Sequence, residues 1–201
     1  MLKIKTFKGG YDSNFSYILF DPESKDAMII DTAINPEIWS GFIKENDLKL
    51  KFAVVMHSHF DHRVKLKWYK EHDIPLFGSE NLPIDLDKKL KDGEELGIKD
   101  EKFKVISAPG HTPDCILLYG EGKLFTTDVL FIDGCGRCDL AGGNAEQMYE
   151  TLQKIKQLPD DTVIYPGHDY GKVPFGTLGE QKKSNRFLVS ENKNDFMEER
   201  M

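Results

Sequence analysis

The stretch "AVVMHSHFDHRVKLKW", residues 53–68, decides the fold because it places potential metal ligands directly after an apolar run of strand length. These ligands are His57, His59, Asp61 and His62. Imidazole nitrogen and carboxylate oxygen suit zinc, iron or manganese. The cluster contains no cysteine, which argues against a closed structural zinc site. The stretch therefore predicts a metal site at the end of a buried strand, where rigid backbone presents side chains to a cleft.

Further candidate ligands lie downstream, and each follows an apolar run that predicts a strand. They are His111 in "ISAPGHTPDC", Asp128 in "LFTTDVLF" and His168 in "VIYPGHDYG". The chain has six histidines, and only His72 falls outside this set. We interpret His72 as a surface residue of a predicted helix. A polar turn with accidental histidines does not account for so many ligand types in this pattern, so metal binding is favoured.

Apolar runs and their periodicity predict a strand-rich chain that is interrupted by helices. Strands are predicted over residues 2–7, 15–20, 27–31, 51–57, 74–78, 103–108, 116–120, 123–127 and 162–167. Helices are predicted over residues 35–46, 63–72 and 145–158. Two sheets with helices packed outside them fit this order. The chain, residues 1–201, has the length of a single domain, and its polar end, residues 190–201, is expected to fray.

Two of the predicted helices show an apolar face. In the first, the residues expected on this face are Ile38, Phe42 and Ile43. In the last, the expected buried stripe consists of Met148, Leu152 and Ile155. Spacings of three and four residues place such side chains on one side of a helix, where they can pack against a sheet.

Composition excludes several classes of partner. The net charge of −7 disfavours a nucleic-acid-binding surface, which is normally basic. No apolar run approaches the roughly 20 residues of a membrane span, and the N-terminal residues do not form a secretory signal. We therefore expect a cytoplasmic protein, and because three cysteines cannot all pair within one chain, we expect them to be thiols. The oligomeric state stays open, with a homodimer as one alternative.

Four motifs, "HSHFDH", "PGHTPD", "TTD" and "YPGHDY", resemble in order and spacing those of the metallo-β-lactamase superfamily. The resemblance runs from about Asn14 to about Leu188. It implies an α+β protein with the αββα sandwich fold, in which two mixed β-sheets carry helices on their outer faces. It also implies a metal site at one edge of the two sheets.

The resemblance further implies how the ligands divide when two metals bind. Three histidines hold the first metal, namely His57, His59 and His111. Three residues hold the second metal, namely Asp61, His62 and His168. Asp128 bridges the two metals, and Asp31 matches a buried aspartate beneath the site. Asp31 at the end of "AMIID" has an alternative role, which is to cap a turn.

Two branches of the superfamily compete for the reaction. The first is glyoxalase II-like hydrolysis of a small thioester, as in hydroxyacylglutathione hydrolases. It implies two divalent metal ions (zinc, iron or manganese), with Asp61 and Asp128 as catalytic residues around a metal-bound hydroxide. Two metals lower the pKa of a shared water, and the leaving thiolate, with a parent pKa of about 8.5, needs little help from an acid. We expect this chemistry, with a thioester of glutathione or another small thiol as the substrate.

The second branch is persulfide dioxygenation, which oxidises glutathione persulfide. It implies one iron(II) held by a facial triad of His57, His111 and Asp128, with positions open for oxygen and substrate. The remaining candidate ligands then support the triad without binding the iron. A non-catalytic metal-binding protein is a third alternative, although degenerate members usually lose ligands that this chain keeps. A lactamase is disfavoured, because those enzymes have a cysteine at the position of Asp128.

The resemblance also implies two substrate contacts. By resemblance, Arg137 and Tyr170 match positions near the thiol substrate. Arg137 could pair with a substrate carboxylate or, alternatively, with Asp139 in its own loop. The "CGRC" spacing of residues 135–138 is only a weak indication of a redox or zinc role, since no second pair accompanies it. Arg186 stands where both short branches usually have a proline.

Overall fold

The structure, a computed structural model, describes residues 1–190 and 192–200. The strands within these ranges are β1 (Lys3–Gly9), β2 (Asn14–Phe20), β3 (Asp26–Ile30), β4 (Lys49–Val55), β5 (Leu76–Ser79), β6 (Lys88–Leu90), β7 (Glu95–Ile98), β8 (Glu101–Ser107), β9 (Ile116–Gly120), β10 (Lys123–Thr127), β11 (Leu130–Phe131), β12 (Gly134–Cys135), β13 (Val163–Pro166) and β14 (Gly176–Thr177). The helices are α1 (Pro36–Glu45), α2 (Leu66–Glu71), α3 (Ala145–Lys156), α4 (Leu178–Ser184), α5 (Arg186–Val189) and α6 (Lys193–Arg200).

In the described residues the strands form two six-stranded sheets and one small hairpin. The first sheet has the order β1-β2-β3-β4-β5-β6, and the second has the order β14-β13-β10-β9-β8-β7. Both sheets are mixed: β1, β2 and β3 pair antiparallel whereas β3 to β6 pair parallel. In the second sheet only the β10–β13 pair is parallel within the described ranges. The predicted pair of mixed sheets is therefore confirmed.

Alternating side chains of the buried strands divide between two cores. In β4, Phe52 and Val54 belong to the apolar cluster between the two sheets, whereas Ala53 and Val55 belong to the cluster beneath α1 and α2. Successive side chains of a strand point to opposite faces, so an uninterrupted apolar run is what a strand covered on both sides requires. This explains why the run before His57 has no polar alternation.

Helices cover the outer face of each sheet. Trp39 of α1 and Tyr69 of α2 are buried against the first sheet. Helix α3 packs on the second sheet through the predicted stripe of Met148, Leu152 and Ile155, which is fully buried. These layers confirm the αββα sandwich. None of the helices in the described part of the chain is both long enough and apolar enough to cross a membrane.

The first and second helices differ in detail from their predictions. Ile38, expected on the buried face of α1, is 52% exposed, because Trp39 occupies the position that faces the sheet. The helix expected over residues 63–72 is shorter, since α2 begins only at Leu66. Residues Phe60–His62 form a separate 3₁₀ turn, and Lys65 adopts a left-handed backbone conformation between the two segments.

The C-terminal segment, for which the polar composition predicts fraying, contains helix α6, and residues 191 and 201 of this segment lie outside the described residues. Helix α6 packs on α3 and α5 through Phe196, which is 1% exposed and contacts the rings of Tyr149 and Phe187. Lys193 forms ion pairs with Glu146 and Glu150 of α3. One buried aromatic residue therefore fixes a segment whose remaining residues are mostly polar.

Candidate metal centre

The predicted ligands meet at one edge of the two sheets, in segments that follow strand ends. His57 lies two residues after β4 of the first sheet, and Asp128 follows β10 of the second sheet. His168 lies two residues after β13, which pairs with β10. Parallel strands end at the same edge of a sheet, so β10 and β13 bring Asp128 and His168 together. The structure thus unites residues that are more than a hundred positions apart in the chain.

The ligand atoms fall into two groups, within each of which all atoms lie within 4.8 Å of one another. The first group consists of His57, His59, His111 and Asp128. The second group consists of Asp61, His62 and His168. The Oδ2 atom of Asp128 lies 3.5 Å from Nε2 of His111 and 3.2 Å from Nε2 of His168. Asp128 therefore lies between the groups, in the position expected of a bridging ligand.

Two histidines are oriented by backbone carbonyl groups. Nδ1 of His111 lies 2.8 Å from the carbonyl oxygen of Arg137, and Nδ1 of His168 lies 2.7 Å from that of Asp12. A carbonyl oxygen only accepts hydrogen bonds, so each Nδ1 must carry the proton. The Nε2 atoms that point into the centre are then left with lone pairs, as metal ligation requires.

Asp31 orients two more histidines. One carboxylate oxygen accepts a hydrogen bond of 2.8 Å from Nδ1 of His62, and the other accepts one of 2.8 Å from the Thr127 hydroxyl. Since that hydroxyl proton is used, the Thr127 oxygen accepts from Nδ1 of His57 at 3.1 Å. Asp31, expected beneath the site, thus directs the Nε2 atoms of both histidines inward.

The centre fits a cation. Nε2 of His62 and Nε2 of His168 are 3.1 Å apart, and two unprotonated nitrogens at this distance repel unless a cation or a proton lies between them. Nε2 of His57 and Oδ1 of Asp128 are buried, and neither has a hydrogen-bond partner among the described residues. Buried polar atoms without partners are rare, and a bound ion or water molecule accounts for them. Nitrogen and oxygen donors in this number suit a divalent transition metal.

The charges of the centre also favour a cation. Burial, followed by the proximity of His62, holds the pKa of His57 well below its usual range, so His57 is neutral. Burial opposes ionisation of Asp128, yet His62 and His168 hold the pKa of this carboxyl well below its usual range. His57 is thus neutral and Asp128 ionised, as metal binding needs. Burial opposes protonation of His62 and His168, yet Asp31 and Asp128 hold the pKa of His62 well above its usual range, and Asp128 holds that of His168 above it. Positive charge on these two imidazoles therefore offsets the carboxylates when no metal is bound, and a bound metal ion would replace it.

Asn14 is a member of the centre that its sequence context did not indicate. Its side chain is fully buried, and Nδ2 donates a hydrogen bond of 2.9 Å to Oδ2 of Asp61. The same nitrogen lies 3.3 Å from Nε2 of His62 and 3.4 Å from Nε2 of His168. The side-chain oxygen accepts from the backbone of Asp12, which fixes the orientation of the amide. Asn14 therefore holds one carboxylate oxygen of the second ligand group.

A cavity of about 990 Å³ opens beside the centre. Asp61, Asp128 and His168 lie on its wall, together with the exposed aromatic side chains of Tyr11 and Phe60. This volume is at the upper end of the range for small-molecule sites. The ligand groups are thus accessible to a substrate of the size of a tripeptide.

The two expected substrate contacts both line the cavity, but each has a partner within the chain. Arg137 forms a two-pronged ion pair with Asp139 through bonds of 2.7 and 2.6 Å, so the alternative role of shaping its own loop is the one observed. Tyr170 donates a hydrogen bond of 2.6 Å to Asp12 and stacks on the ring of His168. Tyr170 thereby supports a candidate ligand from the cavity side.

The cysteines do not contribute to the ligand groups found in the described residues. Cys115, Cys135 and Cys138 are buried free thiols. Burial raises the pKa of Cys135 to about 12 and that of Cys138 to about 11. Protonated, buried thiols are poor nucleophiles and poor metal ligands, so the structure gives no support to a redox role for the "CGRC" loop.

Comparisons of the sequence and of the structure with known proteins agree on one family. The family model of the metallo-beta-lactamase superfamily matches residues 63–168. A hydroxyacylglutathione hydrolase of Vibrio cholerae is 34% identical over 173 residues, which cover 85% of this chain and 67%, about two thirds, of that protein. The mitochondrial persulfide dioxygenase ETHE1 of Homo sapiens is 34% identical over 186 residues, covering 87% of this chain and 71% of that protein. The crystal structure of ETHE1 from Myxococcus xanthus superposes with a TM-score of 0.91 at 28% identity, over 98% of this chain and 88% of that chain. The chain belongs to the metallo-β-lactamase superfamily.

Proposed function

We propose that this protein is a metal-dependent hydrolase that cleaves a small thioester whose carrier is glutathione or a related thiol. The observation that carries the proposal is the pair of ligand groups that share Asp128, whose Oδ2 lies within 3.5 Å of a histidine nitrogen in each group. The similarity to hydroxyacylglutathione hydrolases supports the same class of reaction.

Two divalent ions fit the two ligand groups. His57, His59 and His111 would hold one ion, and Asp61, His62 and His168 would hold the other, with Asp128 between them. Bound there, such ions lower the pKa of a water molecule toward 7 and polarise the carbonyl of a thioester. The outward hydrogen bonds of His57, His62, His111 and His168 keep their inward nitrogens in the ligating orientation before any ion arrives.

Asp61 is the carboxylate best placed to handle a proton. It lines the cavity, and its Oδ2 is held by the Asn14 amide. Its Oδ1 carries no hydrogen bond within residues 1–190 and 192–200, so this atom is placed to hold the proton of an attacking water. The leaving thiolate has a parent pKa of about 8.5 and needs little protonation at neutral pH. A thioester therefore suits this site, since its cleavage does not depend on a general acid at the leaving group.

Persulfide dioxygenation is the second candidate, and the similarity to the ETHE1 proteins favours it. One iron(II) ion held by His57, His111 and Asp128 would leave positions open for oxygen and a persulfide. His168 would then support the triad through its contact with Asp128, and Asp61 through its contact with His168. The two candidates share a thiol-derived substrate and differ in the number of metal ions.

Metal analysis of protein purified without oxygen, combined with two assays, tests the proposal. We expect two metal ions per chain and cleavage of an acyl-glutathione thioester, without oxygen uptake on glutathione persulfide. One iron per chain, with oxygen uptake and no thioester cleavage, would replace the hydrolase by the dioxygenase. Bound metal without either activity would favour a non-catalytic metal-binding protein.

Two histidine variants sharpen this test. His168→Ala removes a ligand of the second group and should lower both the metal content and thioester cleavage. The matched control is His72→Ala, since His72 is exposed at the end of α2 and stacks on Trp68, away from the centre. Asp128→Ala should abolish activity in either candidate function. A fully active Asp128→Ala protein would contradict the whole site assignment.

A further inference from the structure

The cavity beside the metal centre is lined by cationic side chains that the proposed chemistry does not use. Those in the described residues are Arg137, Lys172, Arg186 and Arg200. Arg137 is neutralised by its close pair with Asp139. Arg186 has only a loose contact of 3.7 Å with Glu199, and both of these side chains are at least half exposed. Exposed pairs of this kind contribute little, so Arg186 is free to bind another anion.

Arg200 differs from the others because it is partly buried and makes no ion pair in the described part of the chain; Asp139, already paired with Arg137, acts on it only at longer range. No carboxylate of residues 1–190 or 192–200 lies within 4.0 Å of its guanidinium. Its Nε atom is buried and has no hydrogen-bond partner among those residues. A guanidinium stays charged at any physiological pH, and a charge removed from water is costly unless it is paired.

The fold brings Arg200 to the cavity through helix α6. Phe196, one turn earlier, is buried against α3 and α5, and this contact fixes the direction of the helix. The guanidinium of Arg200 lies 3.8 Å from the ring centroid of Phe187, and that of Arg186 lies 4.5 Å from the same centroid. Stacking on an aromatic ring holds a guanidinium in place but leaves its in-plane hydrogen-bond donors available.

Two positive charges that share one ring repel each other, and an anion bound to both would remove this repulsion. We propose that Arg200 and Arg186, supported by Phe187, form an anion-binding subsite that recognises a carboxylate or phosphate group of the thiol carrier. The inference rests on the proposed function in so far as the substrate is a thiol derivative. It assigns the selection of the carrier to helix α6 and the reaction to the metal centre.

Binding of unreactive thioethers tests the subsite separately from catalysis. The ligands are S-methylglutathione, which carries carboxylates, S-methyl-coenzyme A, which carries phosphates, and the neutral S-methyl-N-acetylcysteamine. Affinities of the metal-loaded wild-type and variant proteins are measured by calorimetry. Arg200→Met should weaken at least one anionic ligand by about tenfold or more, and should leave the neutral ligand unchanged. The anionic ligand that is weakened identifies the source of the anion.

Two further variants separate recognition from folding. Arg200→Lys keeps the charge but loses the planar fork, so it should recover part of the affinity. Lys193→Met removes a cation from the same helix, but Lys193 pairs with α3 outside the cavity and should not affect binding. Equal weakening of the neutral and anionic ligands by Arg200→Met would overturn the subsite. So would an unchanged affinity, or a wild-type protein that binds neither anionic ligand.

The outcomes for the subsite and for the proposed function are distinguishable, because the thioethers cannot be hydrolysed or oxygenated in the assayed way. Charge-dependent binding without thioester cleavage would keep the subsite and reject the hydrolase. Thioester cleavage that is equally fast with neutral and anionic carriers, with no effect of Arg200→Met on KM, would keep the hydrolase and reject the subsite.

Discussion

The Thr127 hydroxyl donates a hydrogen bond of 2.8 Å to Oδ2 of Asp31, and this bond joins the ends of two strands from different sheets. Both residues have a positive φ, 40° for Thr127 and 66° for Asp31, in a region of backbone conformation where residues other than glycine are uncommon. Non-glycine residues in this region indicate that the surroundings impose the conformation. Here the two strand ends turn so that one carboxylate can orient His57 and His62.

Thr127→Val should weaken metal binding without unfolding the protein. Valine has nearly the same shape as threonine, so the packing at the strand end is kept, but Asp31 and His57 both lose a partner. We expect the metal affinity to fall by about 10- to 100-fold, the usual effect of removing a group that orients a ligand. Competition with a coloured chelator measures the affinity, and circular dichroism checks the fold. Thr127→Ser keeps the hydroxyl and should bind metal nearly as the wild type does; an unchanged affinity in Thr127→Val would contradict this role.

Asn14→Ala should act on the second ligand group more than on the first. The Asn14 amide holds Asp61 and lies next to His62 and His168, and it makes no hydrogen bond to the first group in the described structure. In protein loaded with two ions per chain, the variant should lose one of them first during dialysis. Metal content after dialysis is the measurement. The matched control is Asn46→Ala, which removes an amide that caps α1 far from the centre. Equal loss of metal from the two variants would argue against a role of Asn14 in the second ligand group.

The parts of the molecule that could be predicted are those whose structure follows from the pattern of neighbouring residues in the sequence. The apolar run before His57 predicts its strand because both faces are covered, and the ligands follow such runs closely. Asn14 could not be recognised in this way, since it lies 47 positions from Asp61 and reaches the centre through a backbone bridge to His168, which is distant in the chain. Arg200 was hidden for another reason. Helix α6 is mostly polar and is held by a single buried residue, Phe196. One apolar residue forms no hydrophobic periodicity, so the sequence pattern does not predict this contact.

Gly110→Ala should destabilise the fold through a steric clash next to His111. A Cβ atom at Gly110 would lie 2.4 Å from Cα of Met148, so the loop could no longer pack against α3, and the φ of 145° adds strain. We expect a loss of at least about 2 kcal/mol in the free energy of unfolding, measured with urea. Gly41→Ala is the control, because Gly41 lies in α1 with no described atom within 4 Å of the added methyl group. This control should gain about 0.4–1 kcal/mol, and equal stability of the two variants would contradict the close approach.

The "CGRC" thiols should be unreactive in the folded protein, and their ionisation should lower its stability in alkali. Burial raises the pKa of Cys138 to about 11, so at pH 8 only about 1 in 1,000 of these groups is a thiolate, against about a quarter in an unfolded chain. A disulfide reagent that forms a coloured product should therefore react with Cys135 and Cys138 only after urea is added. The folded state holds these protons more tightly than the unfolded state, so the free energy of unfolding falls as the pH rises from about 9 toward 11. A variant with Cys135→Ala and Cys138→Ala should show a shallower fall over the same interval. Rapid labelling of native protein at pH 8 would show that the loop is open to solvent, and a slope identical to that of the variant would show that folding does not raise these pKa values; either result would contradict the prediction.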